Sequence, residues 1–138
     1  MLNAEQALCD TGPVVAMVDR RDRQHAAALR AFEAFAGNLV TSWPVISEAF
    51  YLLPHADERE FLWKAILTKG IVVADLLFED LTRMMALMKK YADQPMDLAD
   101  ASLVALAERF VIRKIFTLDR RHFSVYRPRH TRFFELFP

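Results

Sequence analysis

Four carboxylates far apart along the chain, Asp10, Glu48, Asp100 and Asp119, stand where acids carry chemistry. Asp10 follows the apolar run Ala7-Leu8-Cys9 and opens the turn signature Thr11-Gly12-Pro13, and Asp119 follows Ile115-Phe116-Thr117-Leu118. Both lie just beyond a predicted strand, the rim on which open α/β sheets build their sites. Glu48 lies within Val45-Ile46-Ser47-Glu48-Ala49-Phe50, and Asp100 within the apolar helical stretch from Asp97 to Ala107. An ionised carboxylate among core-type neighbours is costly unless it is paired or bound to metal. No Lys or Arg lies close in sequence to neutralise Glu48 or Asp100. Hard oxygen donors of this kind suit Mg²⁺ or Mn²⁺. With one cysteine and scattered histidines, zinc is a poor fit. Cations held by acids activate water and stabilise charge on a phosphoryl oxygen, which points to phosphodiester hydrolysis.

Each acid also has an ordinary structural role to weigh. Asp97 reads as a helix N-cap with Asp100 three positions on, a capping-box-like pair, and is a further candidate ligand. Asp10 and Asp119 suit turns. Asp100 shares a stripe with Leu103 and Val104, which places it inward, and no capping or turn chemistry accounts for Glu48. Thr11 and Thr117 read as hydrogen-bonding support, with Thr11 able to contact metal-bound water. His25, His55, His122 and His130 lack mutual ligand spacing and read as surface residues, while Cys9 reads as core packing.

The elements that must position these acids alternate. Strands are predicted at Ala7–Cys9, Leu39–Thr41, Ile71–Ala74 and Lys114–Leu118, with an edge strand over Thr131–Leu136. Helices are predicted over Val14–Val18, from an Asp22 cap to Gly37, from Pro44 through Leu53, from an Asp57 cap through Lys69, from Glu79 to Tyr91, and from Asp97 through Phe110. Leu77, Leu81, Met84, Met88 and Tyr91 form one stripe of the fifth helix. This alternation predicts a three-layer α/β/α sandwich around a mostly parallel sheet of four to five strands. At 138 residues, with neither an internal repeat nor a linker, the chain reads as one domain over residues 1–138.

Composition excludes other classes. With 54% hydrophobic residues, 3 Gly and 6 Pro, the chain is neither disordered nor fibrous. Its longest uncharged stretch, Ala34 to Ser47, is too short and polar to span a bilayer. The single Cys9 excludes an internal disulfide framework, and the N-terminus lacks the pattern of an export signal, so a cytoplasmic location is expected. The net charge of zero conceals an asymmetry. From residue 109 onward the chain carries 8 basic and 2 acidic side chains. Arg113, Arg120, Arg121, Arg127 and Arg129 alternate there with Phe110, Phe116, Phe123, Tyr126, Phe133 and Phe134, a mixture suited to phosphates and stacked bases. These arginines are the expected RNA-binding residues.

The segments Leu8-Cys9-Asp10-Thr11-Gly12, Ser47-Glu48-Ala49, Asp97-Leu98-Ala99-Asp100-Ala101 and Phe116-Thr117-Leu118-Asp119-Arg120-Arg121-His122-Phe123 together resemble the PIN-domain family, and within it the VapC-type toxins. The resemblance spans nearly the whole chain in the expected order. It implies a compact α/β/α ribonuclease with Mg²⁺ or Mn²⁺ held by Asp10, Glu48, Asp100 and Asp119, and Asp97 as a fifth ligand. It also implies a homodimer silenced by a cognate antitoxin protein. One departure is His122, where such proteins often carry Asp or Asn.

Receiver domains would show adjacent acids after the first strand and a late lysine, and haloacid-dehalogenase phosphatases a second Asp at position 12, where Gly12 stands. Neither pattern is present. The remaining alternatives are a non-catalytic RNA- or protein-binding module on the same fold and a housekeeping RNA-processing nuclease. Apolar residues of the middle helices, among them Phe50, Tyr51, Leu52, Leu53, Phe61, Trp63, Leu81, Met84, Met85 and Met88, exceed one core and suit a partner helix.

Overall fold

The computed structural model describes residues 5–138. The elements are β1 (Gln6–Cys9), α1 (Thr11–Val18), α2 (His25–Phe35), β2 (Asn38–Ser42), α3 (Trp43–Leu52), α4 (Ala56–Leu67), β3 (Val72–Ala74), α5 (Phe78–Lys90), α6 (Leu98–Phe110), β4 (Lys114–Phe116), α7 (Arg120–Phe123) and β5 (Glu135–Phe137). They form a five-stranded sheet ordered β3-β2-β1-β4-β5, with helices on both sides and every strand pair parallel. The chain lays β2 and β3 on one side of β1, then crosses to lay β4 and β5 on the other. The crevice between β1 and β4 is therefore the topological switch point, the place where doubly wound sheets bind ligands.

Local chemistry explains the boundaries. Ala7, Leu8 and Cys9 are wholly buried because β1 is central and covered on both faces. Ser42 ends β2 and caps α3, its hydroxyl accepting from Val45 N, and Pro44 sits in the first turn, where a missing N–H costs nothing. Asp22 does not cap a helix: its carboxylate accepts from Gln24 N in a tight turn, and α2 begins at His25. Asp57 falls inside the first turn of α4. The strand predicted to Leu118 ends at Phe116, and the edge strand lies at Glu135–Phe137 rather than from Thr131. The short α7 was not predicted.

Helix α6 is buried from Ala99 to Ala107 and packs against β1, β2, α3 and α5. The apolar stripe predicted for α5 is displaced. The face that turns inward carries Asp80, Met84 and Leu87, with Tyr91 beyond it, whereas Leu77, Leu81, Met85 and Met88 are exposed. The cause is polar. Asp80 accepts from Leu77 N at 2.8 Å and from Arg109 Nε of α6 at 3.0 Å, and beside it Arg83 grips Glu108 through two bonds of 2.8 and 3.0 Å. These pairs fix α5 against α6 and hence the start of α6, where Asp100 sits.

Asp80 is buried, so removing its guanidinium strands a charge. Arg109→Ala is expected to lower stability by about 2–4 kcal/mol in chemical denaturation. A loss typical of an exposed ion pair, below about 1 kcal/mol, would show that the latch is not needed.

Candidate active site

Asp10 leaves the carboxyl end of β1 and caps α1. Its Oδ1 accepts from Thr11 N at 2.8 Å and its Oδ2 from Thr117 Oγ1 at 2.9 Å, while its own N–H continues the β1–β4 ladder to Phe116 O. Thr117, wholly buried at the end of β4, also accepts from Asp119 N at 2.9 Å. One hydroxyl thus joins the ends of the two strands that flank the switch point. Asp119 caps α7, taking His122 N at 3.2 Å, and its Oδ2 lies against His122 Nδ1.

Asp100 enters from the first turn of α6. Its N–H donates to the capping Asp97 Oδ1 at 2.8 Å, and its Oδ2 accepts from the Tyr126 hydroxyl at 2.7 Å. Its position is fixed from a third direction. Ser102 Oγ, two residues on, donates to Ala99 O and lies 2.6 Å from Ser42 Oγ, tying α6 to the β2–α3 junction.

Two of these acids feel the charge of the others. Burial pushes the Asp100 carboxyl up to about 8, opposed by the Tyr126 hydrogen bond and reinforced by the charges of Asp97, Asp10 and Asp119. Burial likewise pushes Asp10 up to about 6, opposed by the bonds from Thr11 and Thr117 and reinforced by Asp119 and Asp97. Like charges and desolvation act in the same direction here. Among the described residues, no Lys or Arg forms an ion pair with Asp10, Asp97, Asp100 or Asp119, whereas Asp80, Glu108 and Glu5 each have a cation.

Glu48 is half-buried on α3 and borders a groove shared with Trp43, Ser47, Tyr51, Asp97 and Ala99. Of the other candidate acids, that groove is lined by Asp97 alone. Among the described residues, no three His, Cys, Asp or Glu side chains stand in a ready-made coordination cluster. The aspartates converge electrostatically without yet closing on a common point. Their donors are nonetheless all hard oxygens, none of them paired with a Lys or Arg among the described residues and Asp119 alone beside an imidazole, and Thr11 Oγ1 is buried with no hydrogen-bond partner. That set fits a hydrated divalent ion rather than a soft metal.

The basic segment is not one surface. Arg113 precedes β4 and borders a cleft with Glu5, Gln6 and Glu135 at the amino ends of the strands. Four residues of extended chain, about 13 Å, separate it from Thr117 on the acidic rim. Arg120 and Arg121 open α7 directly after Asp119, and Arg120 donates to Pro138 O at 2.7 Å. Arg127 and Arg129 are exposed beyond them. The interleaved aromatics mostly serve packing: Phe116, Phe123, Tyr126 and Phe134 are buried, and only Phe110 and Phe133 of that set are exposed. Spacing had also given no role to Tyr126 in the site or to His122 against Asp119, because both contacts depend on how residues 119–127 fold back.

Known proteins resemble this chain over most of its length. The PIN domain profile matches residues 7–128. Ribonuclease VapC26 of Mycobacterium tuberculosis is 32% identical over 124 residues, spanning 88% of this chain and 92% of that protein. Among solved structures, Mycobacterium tuberculosis VapC20, a sarcin-ricin loop cleaving toxin, superposes with a TM-score of 0.73 at 17% identity, covering 83% of this chain and 91% of its own. A toxin-antitoxin complex from Klebsiella pneumoniae gives 0.69 at 20% identity, with 86% and 91% covered. VapBC2 from Rickettsia felis, bound to a DNA fragment from its promoter, gives 0.68 at 12% identity, with 96% and 99% covered. The profile match over most of the chain and the 32% identity to a ribonuclease of that kind show that this chain belongs to the PIN-domain family.

Proposed function

We propose that this chain is a divalent-cation-dependent endoribonuclease, the toxin of a VapBC-type pair, which cuts RNA phosphodiester bonds and is restrained by a cognate antitoxin. One observation carries the reading: Asp10 after β1, Asp100 in the first turn of α6 and Asp119 after β4 lie within reach of one another's charge, and among the described residues none of them is paired with a Lys or Arg. Asp10, Glu48, Asp100 and Asp119 would hold Mg²⁺ or Mn²⁺, with Asp97 at the rim. When bound, the cation activates water and offsets charge developing on the phosphoryl oxygens. Thr117 orients Asp10 and, through the Asp119 backbone, keeps the two strand ends in register. The Thr11 hydroxyl is free to hold a water beside Asp10.

Arg120 and Arg121 lie next to Asp119 and suit the phosphates nearest the cut, and Arg127 and Arg129 extend that contact. Arg113, on the opposite rim, suits only a distant stretch of RNA. The named activities of the relatives support the substrate class, and the toxin-antitoxin neighbours support the partner. The structure also leaves a broad apolar surface for a partner: Tyr51, Leu52, Phe61, Trp63 and Leu67 of α3 and α4 are exposed, as are Met85 and Met88 of α5. An antitoxin and a second copy in a homodimer are the occupants this reading expects, in the cytoplasm where the RNA is found. No helix is long and apolar enough to cross a membrane among the described residues. The site favours an enzyme over a passive binding module, because a module has no use for unpaired buried acids.

Three measurements test this. Purified protein should cleave single-stranded RNA with Mg²⁺ or Mn²⁺, stop with chelator, and lose at least about 100-fold activity in Asp10→Asn, the scale of a lost charge-stabilising group. Cleavage that persists in chelator, or full activity in Asp10→Asn, contradicts the assignment. RNA binding should weaken with salt at a log-log slope of about −0.7 per phosphate contact, and binding indifferent to salt contradicts the arginine assignment.

The third concerns the metal-free protein. Because Asp100 and Asp10 have folded-state pKa values near 8 and 6, above those of an unfolded Asp, the native state holds more protons between about pH 4 and 8. Stability should therefore fall as pH rises through that window. Asp100→Asn keeps an acceptor for Tyr126 and removes the charge. In chelator at pH 8.5 it should be more stable than wild type by on the order of 1–2 kcal/mol, one pKa unit being about 1.4 kcal/mol, with a flatter pH dependence between pH 5 and 8.5. Equal melting curves for the two proteins at both pH values would remove the buried-charge account.

A further inference from the structure

On the footing of the metal-dependent reading above, we propose that Tyr126 is a positioning residue for the cation: its hydroxyl holds Asp100 Oδ2 and so leaves Oδ1 as the oxygen offered to the metal. The contact spans 26 residues of sequence, at 2.7 Å. Asp100 Oδ1 takes no hydrogen bond among the described residues, so the two oxygens of this carboxylate have unequal surroundings.

The phenol does not find this oxygen by being mobile. Tyr126 is wholly buried. Tyr91 meets its ring edge-on at 5.1 Å and 64°, and Phe123 meets it at 5.3 Å and 81°. Tyr91 also anchors the next residue, its hydroxyl accepting from Arg127 N at 2.8 Å. Farther on, Arg129 N donates to Glu108 Oε2 at 2.9 Å, and His130 Nε2 lies 2.6 Å from Ile112 O. A segment without regular secondary structure is thus pinned at several points, which places one hydroxyl against one carboxylate oxygen. Buried tyrosines need a partner. Here the partner is a carboxylate of the candidate metal set, and an outer hydrogen bond of that kind orients a ligand and tunes its affinity.

A tyrosine serving the core alone makes a different forecast from one that positions Asp100. Tyr126→Phe keeps the ring and its aromatic contacts and removes only the donor. Tyr91→Phe removes the anchor on Arg127 without touching Asp100. In calorimetric titrations of the full chain with Mn²⁺ alone, Tyr126→Phe should weaken binding by about 10–100-fold and Tyr91→Phe by no more than about twofold, the former being the usual cost of losing such a partner. In RNA cleavage, Tyr126→Phe should lower kcat while leaving KM for RNA unchanged, and raised Mn²⁺ should restore much of the loss. Near-ultraviolet circular dichroism checks that the aromatic cluster survives. Wild-type Mn²⁺ affinity in Tyr126→Phe overturns the proposal, as does equal weakening by both variants, which would mark a general loosening of the segment. If wild type itself neither binds Mn²⁺ nor cuts RNA, the metal-dependent reading fails with it. A binding and cutting wild type beside an unaffected Tyr126→Phe defeats the role of Tyr126 alone.

Discussion

Negative charge kept out of water without a positive side chain beside it is the constraint to which the rest of this fold answers. Asp10 and Asp100 are both buried, and each feels the charges of Asp97 and Asp119. The protein does not neutralise them. It supplies neutral donors instead: the backbone N–H of Thr11 and the Thr117 hydroxyl to Asp10, and the Tyr126 hydroxyl to Asp100. Such donors orient a carboxylate and soften its desolvation without quenching its charge. What remains is an electrostatic deficit of the kind the proposed cation would meet, and stability given up at such a place is the usual companion of function.

The same molecule shows the other solution a few residues away. Asp80 is more deeply buried than Asp100, yet Arg109 sits on it, and Glu108 is gripped by Arg83. Both pairs join α5 to α6, so one face of α6 carries neutralised charge that fixes its packing, while its first turn carries charge left open. Position along the helix separates the two uses. The Arg-paired residues lie in its last turns, and Asp100 lies at its amino end, where exposed backbone N–H groups and the helix dipole favour an anion.

How much of this could be read from the residues depends on how far each cause reaches along the chain. Alternating strands and helices, and acids just past Cys9 and Leu118, are consequences of local pattern; the parallel sheet follows from them, and so does the placing of Asp10 and Asp119 beyond neighbouring strand ends, within reach of the charge of Asp100. The apolar stripe of α5 was misplaced because hydrophobic spacing alone favours Leu81 and Met88, whereas the Asp80–Arg109 pair across 29 residues turns a different face inward. The end of α6 is similar. Val111 takes a left-handed conformation that β-branched residues rarely adopt, and no Gly announces the turn into β4. The aromatics of the basic segment looked available for stacking because their spacing resembles that of a nucleic-acid surface. In three dimensions Phe123 and Phe134 close the core around Tyr126, and the arginines are left outside with only Phe110 and Phe133 of the aromatic set.

The region from Asp119 to Phe134 therefore does two jobs that its composition does not separate. Its arginines face solvent, and its buried rings pack behind Tyr126 and Asp100. Only the second job needs a defined geometry. An arginine can meet a phosphate from many positions, whereas a phenol that must reach one oxygen of Asp100 requires its neighbours to hold it on two sides. This explains why a stretch with little regular secondary structure is so thoroughly tied down, by Tyr91, Glu108 and the Ile112 carbonyl. Beside the local bonds of its turns, this stretch has hydrogen bonds that run outward to the end of α5, to α6 and to the turn before β4. Order at the carboxylates is obtained from tertiary contacts, and the sheet supplies only the rim on which they meet.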